Sequence, residues 1–307
     1  MTTGPLRRAR CAPVILRAEV KRLLLLGSIA VSLAAAGTTS SARPPALLTY
    51  SLAAQPTGLC IARSNGSQRF RLTRGKDSSP SWSPRGYYVA FARQIDAGRS
   101  QILVADARGR VLRRFGTGIS TEPAWSPSGQ RIAYASDGRI IVATTAGRTV
   151  AEVAPRTLVG GPAWSPDSRR VAFAEVREVG PGVVRGIYVV NADGTGRRLL
   201  VGDASDPAWS PDGSKLAFVA YASRLTDSGF VTMANADGTG ARRLTTTREA
   251  ESQPAWSPGG GLLAFTRGGA IVVAPSAGGT ERVAVRNARD PGWRAQVTLP
   301  KARRAAC

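Results

Sequence analysis

The chain has 307 residues, 43% of them hydrophobic, enough for a sizeable buried core and too many for a disordered polymer. It contains no histidine, which excludes Ser-His-Asp and Cys-His nucleophile systems and imidazole-bound zinc. The formal charge is +22, from 42 Lys and Arg against 20 Asp and Glu, yet no run of five or more basic residues occurs. Aromatics are not interleaved with the arginines, so nucleic acid is disfavoured as a partner and the charge reads as spread over solvated faces.

Residues 23–36 read LLLLGSIAVSLAAA, an uncharged apolar run preceded by Arg17, Lys21 and Arg22 and followed by small and polar residues. This is the three-part pattern of a secretory signal peptide, with small-x-small cleavage positions near Ala36 and Ala42; the competing reading is an uncleaved N-terminal anchor. The run is shorter than the about 20 residues a spanning helix needs. Residues 1–42 are therefore expected to be a targeting segment or anchor, residues 43–294 a folded domain and residues 295–307 a tail. Cleavage near Ala42 would remove six basic residues and Glu19, leaving a formal +17. An exported protein would lie in the periplasm, on the cell surface or outside the cell, touching membrane only through that segment, and its disulfides could persist.

From residue 79 onward one unit recurs: Pro80-Ser-Trp82-Ser-Pro-Arg-Gly86, Pro123-Ala-Trp125-Ser-Pro-Ser-Gly129 and Pro162-Ala-Trp164-Ser-Pro-Asp-Ser168. It continues as Pro207-Ala-Trp209-Ser-Pro-Asp-Gly213, Pro254-Ala-Trp256-Ser-Pro-Gly-Gly260 and a degenerate Pro291-Gly-Trp293. Successive tryptophans lie 43, 39, 45, 47 and 37 residues apart, and nine residues after each of the first five comes Phe91, Tyr134, Phe173, Phe218 or Phe265. Ser-Pro-Asp-Gly predicts a type I turn after a short strand carrying Trp. Alternating runs such as Lys215-Leu-Ala-Phe-Val219 and Gly186-Ile-Tyr-Val-Val190 predict a second and a third strand. Asn191-Ala-Asp-Gly-Thr-Gly196 predicts a hairpin turn into a fourth. Four short strands in about 40 residues make one propeller blade.

The two ends complete the count. Residues 46–50, 58–61 and 69–73 read as second, third and fourth strands lacking a first, and Trp293 marks a first strand lacking its partners. The expected fold is all-β, a six-bladed β-propeller of four-stranded blades, the ring closed by N- and C-terminal strands in one blade. The repeat resembles that of the TolB-type propellers, a WD40-like repeat family whose blades carry the same Trp-Ser-Pro-Asp-Gly turn and Ala-Asp-Gly-Thr hairpin. The resemblance covers residues 46–294 and implies an envelope protein that binds a protein partner or another cell-envelope ligand.

The six tryptophans, Trp82, Trp125, Trp164, Trp209, Trp256 and Trp293, read as the repeated structural core, because blades packed face to face bury both faces of each sheet. No catalytic residue is identified. The residues preceding the repeat prolines, Ser79, Glu122, Gly161, Asp206, Gln253 and Asp290, are expected where each innermost strand begins, beside the central channel. Three acids would then converge on the axis from blades two, four and six, a site for a cationic ligand group or a divalent cation; no other cofactor is expected. The alternative functional class is a metal-assisted enzyme of lyase or lactonase type using these carboxylates. Long loops near 92–100, 175–186, 220–229 and 245–253 are expected to form a binding face. Cys60, in a strand of the closing blade, and Cys307, at the end of the tail that leaves that blade, are either a disulfide or two free thiols, and a monomer is expected.

Overall fold

A computed structural model describes residues 46–54, 57–153, 158–179, 182–222, 228–295 and 307. The expected targeting segment and residues 296–306 of the expected tail lie outside the described residues. All regular structure among the described residues is β-strand. The chain enters as β1 (Leu47–Leu52), β2 (Leu59–Arg63) and β3 (Phe70–Arg71). Blade one follows with β4 (Asp77–Trp82), β5 (Tyr88–Asp96), β6 (Arg99–Asp106) and β7 (Val111–Phe115). Blade two comprises β8 (Ser120–Trp125), β9 (Arg131–Ser136), β10 (Arg139–Thr144) and β11 (Thr149–Val153). Blade three comprises β12 (Leu158–Trp164), β13 (Arg170–Val179), β14 (Gly182–Asn191) and β15 (Arg198–Gly202). Blade four comprises β16 (Ala204–Trp209), β17 (Lys215–Tyr221), β18 (Gly229–Asn235) and β19 (Arg242–Arg243). Blade five comprises β20 (Glu251–Trp256), β21 (Leu262–Arg267), β22 (Ala270–Pro275) and β23 (Arg282–Arg286), and β24 (Ala288–Arg294) is the last strand among the described residues.

Five sheets are antiparallel meanders of consecutive strands, and the sixth has the order β24-β1-β2-β3, so both ends of the domain share one blade. Trp293 pairs with Leu48 across that junction. The register places Tyr50 where the other blades carry their repeat aromatic, and Tyr50, Phe91, Phe173, Phe218 and Phe265 are all buried. Arg294 seals the neighbouring junction. Its guanidinium lies 4.5 Å from the Trp82 ring and its Nε donates to the Gly86 carbonyl at 3.0 Å.

The motif serines explain the turns. In blades one to five the carbonyl of the serine after Trp accepts the N–H three residues on, as Ser210 accepts from Gly213 at 2.9 Å. The same serine's Oγ accepts the N–H five residues on, from Tyr88, Arg131, Arg170, Lys215 and Leu262. In the Asn-Ala-Asp-Gly-Thr hairpins, Asp193 and Asp237 each accept both the N–H and the hydroxyl of the following threonine.

Two of the expected long loops are strands instead. The ladder β13–β14 continues to Val179↔Gly182, so residues 175–179 and 182–186 are paired strand, and β5–β6 continues to Asp96↔Arg99. Charged residues in these spans suggest loop, but continuous cross-strand pairing keeps them in the sheet. Of the span 220–229, residues 223–227 lie outside the described residues.

Candidate functional site: the carboxylate ring in the central channel

Each Trp strand is interrupted at the same point. In blade one the pairing moves from Ser78↔Ala92 to Ser81↔Ala90, so the inner strand gains one residue on its partner, and all six innermost strands do likewise. This is a β-bulge, and the extra space holds the proline, which has no N–H to give the ladder. The residue before each proline is left-handed: φ is 52° at Ser79, 51° at Glu122, 52° at Gly161, 50° at Asp206, 56° at Gln253 and 54° at Asp290. These residues were expected where the innermost strand begins. They stand two to three residues inside it, and the bulge turns them toward the axis.

Together the six bulge residues and their six prolines line one central cavity of about 140 Å³. The prolines are buried and form its wall; Asp290 is 7% exposed, and the other five bulge residues are half-buried. Each acid reaches sideways to the next blade. Glu122 Oε2 accepts the Gly161 N–H at 2.7 Å, Asp206 Oδ2 the Gln253 N–H at 3.0 Å, and Asp290 Oδ2 the Ser79 N–H at 3.3 Å. Asp290 Oδ1 also accepts from Gln253 Nε2 at 2.5 Å. Arg289 Nε stands 3.8 Å from Asp290, on the exposed side. Glu122 Oε1 and Asp206 Oδ1 take no hydrogen bond among the described residues.

Left-handed backbone at a residue other than glycine or asparagine costs energy, and such strain collects where function requires it. The electrostatics are strained as well. Burial pushes the Glu122 carboxyl up to about 7; the Gly161 N–H opposes the shift, and Asp206 and Asp290 reinforce it. Asp206 is raised for the same first reason, burial, opposed by the Gln253 N–H and reinforced by Asp290. Among the described residues no three His, Cys, Asp or Glu side chains stand close enough together to ligate one metal ion directly. The arrangement suits a cationic group entering along the axis, or an ion that keeps its own water, better than a naked metal.

Cys60, buried in β2, is disulfide-bonded to Cys307, with Cα atoms 6.2 Å apart, and Cys307 packs on the core of the closing blade. Trp82, Trp164, Trp209 and Trp293 are buried, while Trp125 and Trp256 are half-buried between blades. Four of the indoles donate to the preceding blade, Trp82 to the Thr49 hydroxyl and Trp164, Trp256 and Trp293 to the carbonyls of Ala124, Ala208 and Ala255. Sequence reasoning did not find two buried ion pairs at the outer start of the Trp strands. Asp77 is held by Arg93 and Thr73, and Glu251 by Arg267, Thr245 and the Val231 N–H. The available signal was the cross-strand pairing of an acid three residues before the repeat proline with an arginine two residues after the repeat aromatic.

Residues 139–283 match the family model described as TolB beta propeller domain. No curated protein sequence matches the chain. The fold is similar to a structure described as TolB from Agrobacterium tumefaciens, at 17% identity and TM-score 0.60, covering 81% of this chain and 96% of that one. It is also similar to TolB from Acinetobacter baumannii, at 20% identity and TM-score 0.64, covering 81% of this chain and 66% of that one. An oligogalacturonate lyase solved in complex with manganese aligns at 19% identity and TM-score 0.50, over 78% of this chain and 72% of that one. With six four-stranded blades and a shared closing sheet, the chain is a six-bladed β-propeller, TolB-like over the residues 139–283 that match that family's model.

Proposed function

We propose that this chain is an exported, non-catalytic binding propeller that takes a cationic group, a guanidinium or ammonium on a protein partner or envelope ligand, into its central channel. The observation that carries the reading is the ring of six left-handed bulges aiming three carboxylates at one axis, in a chain with a formal +22 charge. Two carboxylate oxygens there take no hydrogen bond among the described residues, and burial makes the ionised acids unfavourable until a positive charge joins them. Export is supported by the signal-like segment at residues 23–36, and envelope binding by the TolB-like resemblance.

Isothermal titration calorimetry with N-acetyl-arginine amide, and separately with manganese, tests this. Saturable binding of the arginine probe at pH 8, lost when Glu122→Gln, Asp206→Asn and Asp290→Asn are combined, supports the reading. Equal binding by the triple variant overturns it. Tight manganese binding with no arginine response would favour the metal-assisted alternative.

A further inference from the structure

We propose a second binding site, on the opposite face from the start of the Trp strands, for an extended proline-containing acidic segment of a protein partner. The Ser-Pro turns close that face, and between blades one and two they frame a groove of about 990 Å³, at the upper end of the about 300–1,000 Å³ of ordinary ligand sites. Its floor and sides are Tyr87, Tyr88, Leu112 and the half-buried Trp125, with Arg85 and Arg113 at the rim. Tyr87, Tyr88 and Leu112 are 53%, 43% and 42% exposed, so three of the largest exposed apolar side chains meet in one place.

The repeat itself shows that these residues are not required by the fold. After the turn, blade one carries Tyr87-Tyr88, whereas blades two to five carry Gln130-Arg131, Arg169-Arg170, Ser214-Lys215 and Gly261-Leu262. The corresponding groove between blades four and five, about 670 Å³, has Trp256 as its single aromatic and includes Asp212. Blade one alone carries two aromatics at these positions, on solvent-facing surface, which costs solubility.

The chemistry of the lining selects the occupant. Aromatic rings interleaved with Pro84 and Pro127 suit a left-handed extended segment, whose backbone is already ordered before binding. Two arginines with no acidic side chain in the lining complement carboxylates on that segment. A sugar would require planar acid or amide side chains to hydrogen-bond its hydroxyls, and the lining contains no Asp, Asn, Glu or Gln.

The test uses fluorescence anisotropy on the intact protein with a labelled peptide alternating proline, leucine and glutamate, beside a matched peptide carrying lysine. Saturable binding of the glutamate peptide is expected, weakened about tenfold by combined Tyr87→Gln and Tyr88→Arg, the scale of losing an aromatic anchor. Those replacements copy blade two, so the fold should persist, as circular dichroism will show. Arg113→Glu should weaken binding similarly, and the channel triple variant should leave it unchanged. Failure of the glutamate peptide to bind, equal binding by the lysine peptide, or binding indifferent to the tyrosines overturns the proposal. Retention of the protein by anionic vesicles or an oligosaccharide matrix in place of the peptide overturns it as well.

Discussion

At the residue scale the channel acids carry opposed demands. Glu122 titrates near 4.5 when unfolded and near 7 when folded, because burial disfavours its charge. The folded state therefore holds the proton more tightly between those values, and stability is lost as pH rises from about 4.5 to about 7. Glu122→Gln removes the charge yet keeps an oxygen for the Gly161 N–H. Its melting temperature should exceed that of the wild type at pH 8, with the difference vanishing by pH 4. Glu251 behaves differently, since Arg267, Thr245 and a backbone N–H all serve its carboxylate. Glu251→Ala should cost about 3 kcal/mol in urea denaturation at neutral pH, the scale of breaking a buried ion pair, and Glu251→Gln clearly less. The identities of the channel residues could be read from the sequence because a proline marks each one. Their left-handed backbone could not, since a bulge exists only once two strands are paired.

At the scale of elements, the Trp-Ser-Pro turn is a hydrogen-bonded clasp that the chain uses five times. Ser210 is buried, and its Oγ receives the Lys215 N–H at 2.9 Å. Ser210→Ala should lower stability by about 1 kcal/mol, the net value of one such bond, measured by chemical denaturation. Turn positions were legible in the sequence because Pro and Gly impose them locally. The extent of β13 and β14 was not, because charged residues in an outlying hairpin resemble a loop until the cross-strand register is known. Tyr50 escaped notice as the sixth repeat aromatic for a topological reason. Its tryptophan, Trp293, stands at the other end of the chain.

At the scale of the whole molecule, closure joins β24 to β1 by pairing and Cys60 to Cys307 by a bond across a separation of 247 residues. Cross-linking so long a loop contributes on the order of 5 kcal/mol in the chain-entropy view. Cys60→Ala should depress the melting temperature markedly while leaving the fold intact at room temperature, as differential scanning calorimetry will show. Deleting residues 287–307 removes the inner strand and Arg294 as well, and should abolish cooperative unfolding. The ring also brings acids from blades two, four and six within reach of one another's charge, though they are far apart in sequence. The proposed function makes this ring an electrostatic trap for a cation. Its most direct test is a carbon-13 NMR titration of the Glu122 carboxyl, with and without N-acetyl-arginine amide. The expected result is a midpoint near 7 in the free protein that falls when the guanidinium binds. A midpoint near 4.5 in the free protein, or one that the guanidinium leaves unmoved, would contradict it.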